Sequence, residues 1–194
     1  MARPKEFDPD QALDAAMQCF WEHGFEATSM SVLTKRTGVQ KASLYATFGD
    51  KQALFRKALA RYQDASLERL RARLHDGATA LDDIRGFFGD VVKHSTGDGA
   101  KRGCLCVNTA IELAPHDAEV ADLCRRHTER VEQLFESALD KAIAAKELPR
   151  NFDSAATARF LVATLHGLSV AAKATPSTKR LKDILAVALS VLDH

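Results

Sequence analysis

The sequence has no run of about 20 uninterrupted apolar residues, and its opening "MARPKEFDPDQ" carries no apolar core of the kind a secretion signal needs. A soluble, cytoplasmic protein without a membrane partner is the expectation. A surplus of one charge is also missing, with 27 Lys and Arg against 26 Asp and Glu. That excludes a generally basic, histone-like surface, so any contact with nucleic acid must come from a local patch. No Gly-rich phosphate loop is found, and no spacing of Cys, His and Asp supplies an activated nucleophile beside an orienting base. Enzyme chemistry and a bound cofactor are therefore not expected. Cys19, Cys104, Cys106 and Cys124 include no Cys-x-x-Cys knuckle and, without a secretion signal, read as thiols. Cys124 and His127 share a helix face, but a Cys-x-Cys pair inside a helix diverges by about 200°, so no metal site is expected from this set. Strand-like alternation, internal repeats and low-complexity tracts are missing too, which leaves an all-α chain.

What is present is punctuation for helices. A chain of 194 residues can hold one or two domains and a sizeable core. Asp8 followed by Pro9 marks a helix start and Gly24 its end, with Leu13, Ala16, Met17, Phe20 and Trp21 forming one apolar stripe. Ser29 caps a short second helix that stops at Gly38, residues 41–47 form a third, and Asp50 caps a long fourth running to about Leu74. Further helices are expected over 80–95, 104–114, 117–146, 154–174 and 177–192, with Asp153 and Ser177 as caps and breaks at "STGDGAKRG", "APHD", "ELPRNFD" and "ATPS".

Helix, tight glycine turn and helix is the helix-turn-helix arrangement, in which the second helix enters the major groove with its first turn against base edges. Gln40, Lys41 and Ala42 occupy that turn; Gln and Lys can read purine edges, and Ala can meet a thymine methyl. Thr28, Ser31, Ser43, Tyr45, Thr47 and Lys51 offer hydroxyls or charge for phosphate oxygens. A compact helical corner, with Tyr45 and Phe48 in its core and both lysines merely solvated, uses the same pattern. Residues 10–55, with "A..CF...G", "FEATSM", "L....GV", "LY..F" and "DK.ALF" in order, resemble the DNA-binding domain of the TetR family of transcriptional repressors. The resemblance implies that the third helix reads an operator and that Tyr45 and Lys51 bind phosphates. Thr34, Gln40, Ala42 and the pair Ala46-Thr47 depart from the usual family residues; Gln40 and Ala42, on the groove-facing turn, mark a different operator.

The same resemblance implies a first domain over 1–50 and an all-helical ligand-binding and dimerisation domain over 51–194. The last two helices carry more apolar perimeter than one core needs, which suits a four-helix bundle across a two-fold in a homodimer. The segment "RGCLCVNTAIELAPHD" resembles a TetR subgroup with "GCL" at the start of the sixth helix, some of whose members respond to electrophiles or oxidants through the cysteine matching Cys104. A thiol near a helix N-terminus, preceded by Lys101 and Arg102, has its thiolate favoured, so Cys104 is the candidate reactive group and Cys106 a second sensor position. A small buried hydrophobe is the alternative reading of Cys104. If both are helical, Cys104 and Cys106 face different ways. An inducer pocket is expected from Phe87, Phe88, Val91, Cys104, Asn108, Ile111, Phe160 and His166.

Together these readings give a homodimeric, DNA-binding repressor that grips a palindromic double-stranded operator and leaves it when a small organic or electrophilic inducer binds or Cys104 is modified. An all-helical small-molecule binder without DNA reading, or a thiol enzyme, are the alternatives.

Overall fold

The computed structural model describes residues 7–95 and 101–193. Its helices are α1 (Pro9–His23), α2 (Met30–Thr37), α3 (Lys41–Phe48), α4 (Lys51–Arg73), α5 (Ala80–His94), α6 (Leu105–Glu112), α7 (Ala118–Ala144), α8 (Ser154–Ala174) and α9 (Thr178–Leu189), followed by a 3₁₀ turn over Ser190–Leu192. No strand occurs among the described residues. Part of the break expected at "STGDGAKRG" lies outside them.

The caps act as their chemistry requires. Asp8 accepts from the amides of Asp10 and Gln11, Ser29 from Val32, Asp50 from Ala53, Asp153 from Ala156 and Ser177 from Arg180. Gly38 takes the left-handed conformation, φ 69°, that ends α2 and lets α3 begin three residues later.

The buried side chains form two cores. One joins α1, α2 and α3 to the first half of α4 (Leu54, Phe55, Ala58, Leu59, Tyr62), and it also takes in Leu105, Cys106 and Leu113 from the α6 region and Val120 and Cys124 from α7. Phe20 and Phe25 each meet Phe55 at 5.0 Å between ring centroids. The other core lies among the second half of α4, α5, α7, α8 and α9, around Phe88 and Phe135.

Helix α8 is long and apolar enough to cross a membrane by length and composition, and only 28% of its most apolar window is buried within this chain. It packs along α7 through Ala158, Leu161, Val162, Leu168 and Ala172, while Phe160 and Val170 stay exposed. Cys104 is not inside α6 but is its N-cap, with extended backbone at φ −103°, ψ 126°. It therefore does not follow the helical geometry that would turn it away from Cys106.

Candidate nucleic-acid interface and the adjoining cleft

The eight residues of α3 make a rod about 12 Å long, and a helix about 10–12 Å across with its side chains fits a major groove about 12 Å wide. Leu44 and Phe48 anchor it in the first core. Gln40, Lys41, Ala42, Tyr45 and Ala46 face outward. The Gln40 side chain does not cap the helix, which leaves its amide for other partners. Tyr45 is 40% exposed, and the Lys41 ammonium lies 5.4 Å from its ring centroid. Lys51, the first residue of α4, places its ammonium 4.2 Å from the Phe25 ring, beside the helix N-terminus that Asp50 caps. Ser31 is exposed with its hydroxyl 2.7 Å from that of Ser29, and Ser43 and Thr47 are half-buried on α3.

Thr28 does not belong to this surface. It is fully buried, and its hydroxyl donates to the Gly24 carbonyl at 2.6 Å, so it pins the α1–α2 turn instead of meeting a phosphate. Lys57, absent from the sequence reading, is exposed with its ammonium 5.6 Å from the Phe48 ring. Its spacing from Lys51 carries no motif, so only the fold brings it to α3.

Behind the reading head, α6 is fastened to α1 and its following turn at both ends. At the N-terminal end, the Trp21 indole N–H donates to the Gly103 carbonyl at 3.0 Å, and Arg102 stacks 4.6 Å from the Trp21 ring while donating to Gln18 at 2.7 Å. At the C-terminal end, the Glu112 carboxylate accepts from the amides of Phe25, at 3.1 Å, and Glu26, at 2.9 Å. Gly24 makes room for it: a Cβ there would stand 2.9 Å from a Glu112 oxygen, on backbone already at φ 81°. A cleft of about 420 Å³ opens between these fastenings, bounded by α1, α6 and α8.

Cys104, Asn108 and Ile111 line this cleft. The other expected pocket residues are elsewhere. Phe87 and Phe88 pack with Phe135 in the second core, Val91 is half-buried on α5, Phe160 is exposed on α8, and His166 is half-buried, with burial lowering its pKa. Among the described residues, two buried polar atoms lack a partner, Thr109 Oγ1 and His127 Nδ1. Burial first, then His166 and Arg130, push His127 down to about 4.

The thiols form a small network. The Tyr62 hydroxyl donates to Cys104 Sγ at 3.6 Å, and the Cys106 thiol hydrogen-bonds to the same sulfur. The Cys106 bond chiefly, helped by the Val107 amide and Tyr62 against burial, holds Cys104 down at about 6. The same bond and burial push Cys106 up, and burial raises Cys124 to about 11. The low value expected from Lys101 and Arg102 thus arises from other groups, since Arg102 is turned onto Trp21 and Gln18.

Residues 12–58 match the description "Bacterial regulatory proteins, tetR family", and residues 80–188 match "Tetracyclin repressor-like, C-terminal domain". The chain belongs to the TetR family. It is 32% identical over 188 residues to the HTH-type transcriptional repressor ComR of Escherichia coli K12, covering 96% of this chain and 90% of that one. It is 34% identical, end to end in both chains, to the uncharacterized HTH-type transcriptional regulator YezE of Bacillus subtilis 168. Among solved structures, a cysteine-mutant form of the TetR family regulator CifR complexed with 26 bp double-strand operator DNA superposes with a TM-score of 0.87 at 34% identity, over 97% of this chain and 98% of that one. A TetR-family chain is a transcriptional regulator with a helix-turn-helix DNA-binding domain and a helical ligand-binding domain, and the thiol-enzyme alternative falls away with that assignment.

Proposed function

We propose that this TetR-family protein is a cytoplasmic homodimeric repressor that grips a palindromic operator and is released by a small organic or electrophilic inducer or by modification of Cys104. The observation that carries the reading is the outward face of α3. Gln40, Lys41 and Ala42 stand on its groove-facing turn, and Tyr45 and Lys51 flank it, all held by the buried Leu44 and Phe48. Gln40 to Ala42 read bases; Ser31, Ser43, Tyr45, Thr47 and Lys51 hold the backbone.

Dimerisation uses α8 and α9. Phe160 and Val170 on α8 and Ile184, Val187 and Val191 near the C-terminus are exposed apolar side chains, and Val187 is 74% exposed. A second copy packed as a four-helix bundle would cover them, which also accounts for the apolar character of α8 without a membrane. Two heads on one two-fold axis then meet half-sites about one helical turn, or a multiple of it, apart.

The thiol part of the reading rests on the "GCL" segment and on the chemistry around it. A half-buried thiol held at about 6 is mostly thiolate at neutral pH, and it lines a cleft that touches the reading head. The test is direct titration of the purified protein with DNA from its own upstream region at several salt concentrations. Sequence-preferring binding that weakens as salt rises, with a slope set by the phosphates contacted, is the expected result. Binding without sequence preference would sink the proposal.

A further inference from the structure

The cleft between α1, α6 and α8 joins a cation on its α8 side to an apolar wall. Its volume, about 420 Å³, falls in the range of roughly 300 to 1,000 Å³ that small-molecule sites occupy. Trp21, Val107 and Ile111 supply the apolar wall. On the α8 side stands Lys173, whose ammonium donates to Asn108 Oδ1 at 3.1 Å and, among the described residues, meets no carboxylate. The two carboxylates that line the cleft are already engaged: Glu112 by the amides of Phe25 and Glu26, and Glu22 by Arg36 at 2.9 Å. Glu112 keeps its negative charge but turns its oxygens to the Phe25 and Glu26 amides at the C-terminal end of α6, while the α8 side presents one cation beside an amide at the edge of an apolar surface.

Building on the regulator reading above, we propose that this cleft is an effector site for a small apolar monocarboxylate. The carboxylate accepts from the Lys173 ammonium and from the second Nδ2–H of Asn108, whose first is given to the Arg102 carbonyl at 2.9 Å, and the hydrocarbon lies against Trp21, Val107 and Ile111. This occupant is bound without covalent chemistry, so its effect does not require modification of Cys104, which lines the same cleft. Its effect on DNA follows from the two fastenings of α6. The occupant touches α1 through Trp21 on one side and α6 and α8 on the other. A ligand that favours a wider spacing of α1 and α6 loosens the grip of Glu112 on Phe25 and Glu26, which open the turn leading to α2. The reading head then shifts relative to its partner across the dimer, and the operator fits less well.

Trp21 is the sequence's single tryptophan, so its emission reports the cleft directly. The full-length protein is titrated with benzoate and octanoate, and with benzamide and octanamide as neutral matches, to about 10 mM, which spans weak small-ligand affinities. Saturable change in Trp21 emission with at least one carboxylate is expected, weaker by about tenfold or more for its amide and for Lys173→Met, and restored by Lys173→Arg. Lys173→Met keeps ligand-free operator affinity within about twofold, and that affinity no longer falls when the carboxylate is added. Absence of a saturable response, equal affinity for acid and amide, or an unchanged response in Lys173→Met would each overturn the proposal. So would carboxylate binding that leaves operator affinity untouched. A protein that binds carboxylate through Lys173 but never prefers an operator sequence would overturn the regulator reading while leaving the carboxylate site itself standing.

Discussion

Replacing Cys106 with alanine should move the ionisation of a different residue, Cys104. The Cys106 thiol is the main group holding Cys104 at about 6, whereas an ordinary thiol sits at 9.0. At pH 7 a group titrating near 6 is about nine-tenths thiolate. With Cys106 gone, the Val107 amide and the Tyr62 hydroxyl still favour the thiolate, but burial now opposes them more nearly equally. Each pH unit that the midpoint climbs above 7, toward the ordinary 9.0, lowers the thiolate fraction at pH 7 by nearly tenfold. The rate at a single pH would hide much of this change. A thiolate of higher pKa is intrinsically more nucleophilic, with a Brønsted slope of about 0.4 to 0.5, so each such unit returns about a factor of three. The discriminating observable is the midpoint itself: alkylation of Cys104 by iodoacetamide, followed by mass spectrometry of its peptide from pH 5 to pH 10. Wild type should show a midpoint near 6, Cys106→Ala a midpoint well above it, and Cys106→Ser, which keeps a donor, a midpoint close to wild type. A wild-type midpoint near 9, or one that Cys106→Ala leaves in place, would refute the assignment of Cys106 as the thiolate's partner.

Other perturbations separate the remaining parts of the molecule. Lys51→Ala should weaken binding to every DNA sequence by a similar factor and lower the salt slope by about 1, as loss of one phosphate contact requires; an unchanged slope would remove Lys51 from the interface. Val187→Glu changes a side chain that is 74% exposed, so protomer stability should move by no more than about 0.5 kcal/mol, yet sedimentation should show the dimer coming apart. A dimer that survives the change places the two-fold elsewhere. His127, buried and held at about 4 against 6.5 when free, makes the fold lose stability as pH falls from 6.5 toward 4, because only the unfolded chain takes up the proton there. The loss reaches about 3 kcal/mol at most, and His127→Gln should flatten this part of the pH dependence of the urea midpoint.

The helices could be read from the sequence because their limits are written locally. Asp8 with Pro9, Ser29, Asp50, Asp153 and Ser177 each cap the helix that follows within three residues, and Gly38 supplies the one left-handed turn that sets α3 on α2. The outward face of α3 was readable for the same reason, since Leu44 and Phe48 mark the inward side by spacing alone. Thr28 was misread because its partner, the Gly24 carbonyl, exists only once the turn has closed. The relation of Cys104 to Cys106 turned on where α6 starts: one residue's difference in the cap position brings two thiols together that a continuous helix would separate. Glu112 left no trace in the sequence, because its hold on Phe25 and Glu26 spans more than 80 residues and depends on the packing of α6 against the head. The aromatic pair Phe87 and Phe88 had the composition of a pocket wall and the location of a core.

The first core, which runs from α1 through α4 into α6 and the start of α7, means that the DNA-reading head is not a portable module. A fragment ending at residue 50 would strip Phe55 from Phe20 and Phe25 and expose the apolar faces that bind the three short helices together. Fused to another effector domain, such a piece would not keep its shape. The corollary is mechanical: because α6 and the reading head share one core, a change in the packing of α6 is felt directly by the helices that carry α3.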